Sequence, residues 1–111
     1  MLPKENRLSK KEFKRLDRNS VKFRGEYGMV VIEKYEENTP KFGFIVSKKI
    51  GNAVQRHKMT RLLREIAREN LKNVTNIKGV YIAYKYCEDY KKLEKDFTKH
   101  FRDALNSLKK S

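Results

Sequence analysis

Residues 42–86 read FGFIVSKKIGNAVQRHKMTRLLREIARENLKNVTNIKGVYIAYKY, and this stretch decides the fold. It opens on a β-branched and aromatic run, residues 42–47, and closes on another, residues 80–86. Both have the composition of strands. Between them Met59, Leu62, Leu63, Ile66 and Ala67 recur at the period of a helix with one apolar face. Asn52 stands three residues before Gln55, the amide form of a capping box, so the helix starts at Ala53 and runs to about Leu71. A strand, a helix and a strand in series predict a crossover between parallel strands. The general rule for such units makes it right-handed.

Working outward, residues 21–24 and 28–35 are further strand-like runs, set off from Phe42 by Glu36-Glu37-Asn38-Thr39-Pro40. They read as antiparallel strands of the same sheet. Near the start, Ser9 and Glu12 form a capping box, with Leu8 and Phe13 placed as a hydrophobic staple. A short helix therefore begins near Ser9 and ends between residues 17 and 19. At the other end Leu93, Phe97, Phe101, Ala104, Leu105 and Leu108 lie at spacings of three and four, an apolar stripe on a helix over about residues 89–108. The expected class is α+β, a mixed sheet of about four strands with three helices packed as an α/β sandwich. The chain of 111 residues has the size of a single domain, residues 1–111, around one core.

Lys+Arg number 28 against 14 Asp+Glu, a net charge of +14, so the partner expected is polyanionic. No run of about 18 apolar residues is present and MLPKENRLSKKEF has no apolar signal core. The expectation is a soluble, cytoplasmic protein without a membrane partner. Cys87 is the single cysteine, which excludes an internal disulfide and a thiolate zinc cage.

The cations concentrate in one place. Lys48, Lys49, Arg56, Lys58, Arg61, Arg64 and Arg68 face only one acid, Glu65, within residues 48–68. On a helix His57, Arg61, Arg64 and Arg68 form a stripe almost opposite the apolar face. Any surface helix has a charged outer side. An ordinary solvated face alternates signs to gain i,i+4 pairs, however, whereas these arginines repel one another, and Arg56 and Lys58 sit near the positive end of the helix dipole. That pattern calls for an anionic ligand. The flexible Gly51 and the free N–H groups near Asn52 and Ala53 add a phosphate site at the same end. Arginine suits bidentate phosphate contacts and stacking on bases.

Lys48-Lys49-Ile50-Gly51-Asn52-Ala53-Val54-Gln55-Arg56, followed by Arg61, Arg64 and Glu65, resembles the signature of the protein subunit of bacterial ribonuclease P. Arg7-Leu8 and Phe13 resemble that family's first helix, and the element order fits nearly the whole chain. His57 stands where the family has Asn, Thr60 where it has Lys, and Asp17 where the first helix has a second aromatic residue.

The resemblance implies a fold like the second domain of a small-subunit ribosomal protein, with a left-handed βαβ crossover. It implies that the protein binds the catalytic ribonuclease P RNA, as a monomer with one copy per RNA, and assists removal of the 5′ leader from precursor tRNA. The RNA performs the hydrolysis with bound Mg2+, and the protein alone holds no cofactor or metal. Lys49, Gly51, Asn52, Arg56, His57, Lys58, Arg61, Arg64 and Arg68 would contact the RNA subunit. The single-stranded leader would lie in a cleft between the first helix and the sheet. Such a strand needs a cationic track with aromatic platforms. Phe13, together with Tyr27 or Phe44 from the sheet, can stack, Lys48 supplies charge and Ser47 a hydroxyl; Phe44 is equally readable as core. Tyr81, Tyr84 and Tyr86 fit either stacking or half-buried strand positions. His57 and His100 are the only histidines, and no two-metal carboxylate cluster is legible. A ribosomal or RNA-chaperone protein would share the charge, the size and even the fold, and an autonomous nuclease would cleave phosphodiesters by itself.

Overall fold

A computed structural model describes residues 20–110. The helix expected from Ser9, with Phe13 and Asp17, lies outside the described residues. Four strands are described: β1 Val21–Arg24, β2 Gly28–Lys34, β3 Lys41–Ile45 and β4 Ile77–Ala83. Two α-helices are described, α1 Ala53–Leu71 and α2 Tyr90–Lys110, and a 3-10 turn, Lys48–Ile50, precedes α1. The sheet order is β1-β2-β4-β3. β1 and β2 pair antiparallel, as do β2 and β4, while β3 pairs parallel with β4. The mixed α+β class and the parallel pair bridged by α1 thus follow the sequence expectation.

Three strand boundaries shift for physical reasons. β4 stops at Ala83 and not at residue 86, because the N–H groups of Tyr84 and Lys85 turn to the Tyr27 carbonyl. β4 begins at Ile77 instead of residue 80, because Ile77 and Gly79 pair with Lys34 and Ile32 of β2. Gly79 looks like a loop residue, yet a Cβ there would meet the Ile32 side chain and the Val31 carbonyl. The glycine permits close approach inside the strand. β3 ends at Ile45, and Ser47 leaves the strand to accept the Ile50 N–H at 3.0 Å.

Strand alternation sends Val30, Ile32, Phe42 and Tyr81 to one face of the sheet. There they join Met59, Leu63 and Ile66 of α1 and Leu93, Phe97 and Phe101 of α2 in a single buried cluster. The Phe97 ring lies 5.3 Å from Tyr81, 5.7 Å edge-on to Phe42 and 5.6 Å from Phe101. α2 also fastens the β1–β2 turn: Asp96 accepts the backbone N–H of Glu26 at 3.0 Å and of Tyr27 at 3.1 Å.

Tyr81 is 1% exposed and its hydroxyl finds no partner among the described residues. Burial above all, helped by the nearby Asp96 carboxylate, pushes this phenol far above its ordinary range. A raised phenol is protonated in the folded chain where the unfolded one begins to ionise, so its contribution is complete below about pH 10 and fades as pH rises beyond that. Tyr81→Phe is expected to keep or slightly raise stability at pH 8, since an unpaired buried hydroxyl is removed. Urea melts at pH 8 and pH 10.5 should show the variant losing less on going alkaline than the parent.

Candidate nucleic-acid interface

The interface candidate begins where β3 ends. Ile50 is buried and anchors the 3-10 turn, which leaves Lys48 and Lys49 exposed. Gly51 follows with φ +157°, a backbone conformation that L side chains rarely adopt, and a Cβ there would run into the Gln55 amide. That amide is already committed. Gln55 Oε1 accepts the Asn52 N–H at 3.0 Å, and Asn52 Oδ1 accepts the Gln55 N–H at 2.9 Å. The capping box read from the sequence is therefore closed on both sides, and the Asn52 N–H is not free as expected. The N–H groups of Ala53 and Val54 remain, since the first turn of a helix offers them no acceptor. Gly51→Ala is expected to cost about 1–3 kcal/mol in a urea melt through backbone strain and disruption of this cap.

Along α1, Met59, Leu63, Ile66 and Ala67 are buried, while His57, Arg61 and Arg68 are exposed and Arg64 is half-buried. Among the described residues, Arg61, Arg64 and Arg68 form no ion pair. Lys58 approaches Glu88 at 4.0 Å, in a pair whose side chains are both more than half exposed, a distance and setting worth little. A groove of about 730 Å³ runs along this side, lined by His57, Lys58, Arg61, Leu62, Arg64, Glu65 and Glu88. Tyr86 donates its hydroxyl to Glu88 at 2.9 Å across the groove's far wall. Arg56 sits apart from the stripe. It is half-buried, its Nε enclosed without a partner among the described residues, and its carbonyl accepts the Thr60 hydroxyl at 2.7 Å. Thr60 thus turns back on its own helix and adds nothing to the cationic face.

The residues expected to hold a single strand are brought to one end of the sheet, but not to one face. Gly28 pairs with Ala83 and Ile45 with Ile82, so the β1–β2 turn carrying Tyr27 and the segment carrying Ser47 and Lys48 leave the sheet at the same end. Ser47 and Lys48 are exposed. Phe44 and Tyr27 instead pack against the core cluster on the helix-covered face, Phe44 with its ring 5.5 Å from Phe42. The Lys85 ammonium stands 5.2 Å from the Tyr27 ring.

The opposite face of the sheet holds groups the sequence did not single out. Alternation places Lys22, Arg24, Met29, Val31, Lys41, Ile45, Lys78, Val80 and Ile82 there. Arg24 lies 5.5 Å from the Tyr84 ring centre and donates from Nε to the Tyr84 hydroxyl at 3.2 Å. Tyr84 and Ile45 are each 40% exposed. Lys78 and Glu33 form a nearly buried ion pair at 3.2 Å on the same face. The period-two placement of Lys22 and Arg24 in an otherwise apolar strand was the available signal. Among the described residues no three of His, Cys, Asp and Glu gather as metal ligands, and no helix is long and apolar enough to cross a membrane.

A basic turn, a doubly closed cap and an unmixed arginine stripe now have a fixed geometry, and it can be set beside known proteins. The family model for ribonuclease P matches residues 2–107. This chain belongs to the ribonuclease P protein family. The ribonuclease P protein component of Fusobacterium nucleatum is 33% identical over 100 residues, covering 84% of this chain and 90% of that protein. That of Desulforapulum autotrophicum is 31% identical over 108 residues, covering 96% and 87%. Among solved structures, the RNase P protein of Thermotoga maritima superposes with a TM-score of 0.63 at 28% identity, covering 95% of this chain and 96% of that one. An RNase P protein mutant from Staphylococcus aureus gives a TM-score of 0.75 over 96% of this chain and 90% of its own, and at 21% identity it speaks for the fold. The mixed four-stranded sheet with its two described helices is the architecture of ribonuclease P proteins.

Proposed function

We propose that this chain is the protein subunit of a ribonuclease P ribonucleoprotein, binding the catalytic RNA and helping it remove the 5′ leader from precursor tRNA. The observation that carries this is the outer face of α1, where Arg61, Arg64 and Arg68 stand together without an acidic partner among the described residues, next to the exposed Lys48 and Lys49. In a family of this name, such a face docks on RNA phosphates. Lys49, Gly51, Asn52, Arg56, His57 and Lys58 complete the docking surface, Gly51 by shaping the turn and Asn52 by fixing the helix start.

The leader is held by Phe13, Ser47 and Lys48, with Tyr27 and Phe44 supporting that end of the sheet from the core side, and Arg24 with Tyr84 at the same end extends the track on the open face. Cleavage belongs to the RNA and its Mg2+. We further infer one domain, one protein monomer per RNA, a cytoplasmic setting, and the left-handed crossover of the related ribosomal domain.

Reconstitution tests this. Purified protein mixed with a bacterial ribonuclease P RNA at low Mg2+ is expected to stimulate leader removal from precursor tRNA, followed on a gel. Binding to ribosomal RNA with no stimulation would instead favour a ribosomal or chaperone role, and cleavage by the protein alone would make it a nuclease.

A further inference from the structure

Helix α2 carries a second cationic face that the docking surface on α1 leaves unused. Lys92, Lys95, Lys99, Arg102 and Lys109 follow one another at spacings that keep them on one side of an α-helix, and all five are exposed. The row extends about 25 Å along the axis. Leu93, Phe97 and Phe101 occupy the opposite, buried side. A third side meets α1, where Asn70 donates to the Thr98 hydroxyl at 3.0 Å.

α2 also carries three acids, Glu94, Asp96 and Asp103, and although Asp103 stands four residues after Lys99, none of the three is ion-paired with the row among the described residues. Asp96 is spent on the backbone N–H groups of Glu26 and Tyr27. Asp96 also faces His100, with Nδ1 at 3.6 Å from its carboxylate, and Glu94 lies close enough to Tyr90 to raise that phenol. Among the described residues none of the five cations forms an ion pair. Neighbours three and four apart of like sign repel on a helix, and with no ion pair formed to Asp96 or Asp103 a bound anion would relieve the row. The two cationic faces are also distinct. Where α1 meets the first turn of α2, Glu94, Glu65 and Glu69 gather around Tyr90, whose hydroxyl is held above the ordinary phenol range by its surroundings and by these carboxylates.

The geometry points to a second RNA-contact surface on α2, a track for the phosphate backbone of a double-helical RNA segment separate from the one held by α1. It rests on the RNA-binding function proposed above. The chemistry selects a duplex. Four of the five groups are lysines, compact hydrated charges suited to sequence-independent phosphate contact. The row offers no aromatic platform, which single-strand binding requires. Double-helical RNA is recognised by shape and backbone.

The experiment compares Lys92→Gln/Lys95→Gln/Lys99→Gln with Arg61→Gln/Arg64→Gln in the full chain. The probes are an arbitrary 16-base-pair RNA duplex, a single-stranded RNA of equal length, and ribonuclease P RNA. The lysine triple is expected to weaken duplex and ribonuclease P RNA binding about 10- to 100-fold. It should also lower the log–log salt slope by about 2–3, one unit for each phosphate that the protein no longer neutralises. The triple Lys→Arg variant should retain both. If only the arginine pair loses ribonuclease P RNA, α2 is a solvated face and the inference falls while the RNA-binding function stands. If neither set changes binding, both fall. Loss confined to the single strand also overturns the duplex track.

Discussion

Raising salt from 50 to 200 mM is expected to weaken binding of this protein to ribonuclease P RNA by about 10³ to 10⁵, the response of an interface that contacts about 6–10 phosphates. The physical origin is release of counterions from the RNA, which a protein of net charge +14 drives strongly. Arg61→Ala/Arg64→Ala is expected to reduce both affinity and salt slope, the slope by about 2. Both side chains lie on the side of α1 away from Met59, Leu63 and Ile66, so the variant's melting curve should overlay that of the parent. Filter binding across a salt series reads both quantities, and a flat response would contradict an electrostatic dock.

The second large effect falls on the core. Phe97 is 1% exposed, and its ring touches those of Phe42, Tyr81 and Phe101. It is the point where β3, β4 and α2 meet. Phe97→Ala removes apolar area and leaves a cavity that three aromatic neighbours cannot close, a loss of about 3–5 kcal/mol. A domain of this size has about 5–15 kcal/mol in total, so the variant should be largely unfolded at modest urea. Leu105→Ala, at the half-buried edge of the same helix, should lose clearly less. A ranking reversed between the two would place the core elsewhere.

α1 was legible to the residue because three signals coincide: an apolar period, a capping pair and a glycine before it. The aromatic stripe of α2 was legible for the same reason. What escaped was whatever depends on strand partners. Gly79 marks a break in a lone sequence and becomes a strand position once Ile32 lies across from it. Phe44 carried two meanings, and only the neighbouring Phe42 ring and the helices above assign its face. Arg24 and Tyr84 meet across 60 residues of chain, a pairing no local pattern announces.

The central place of β4 has a consequence for synthesis. It is the last of the described strands to leave the ribosome, yet both β2 and β3 hydrogen-bond to it. Until residue 83 emerges, the β1–β2 hairpin has an open edge and β3 has no neighbouring strand. The nascent chain must keep these edges apart over the length of α1, and closure of the sheet is a late, long-range event of the slow kind. Its strong positive charge, which keeps such unfinished chains from one another, serves the protein before any RNA arrives.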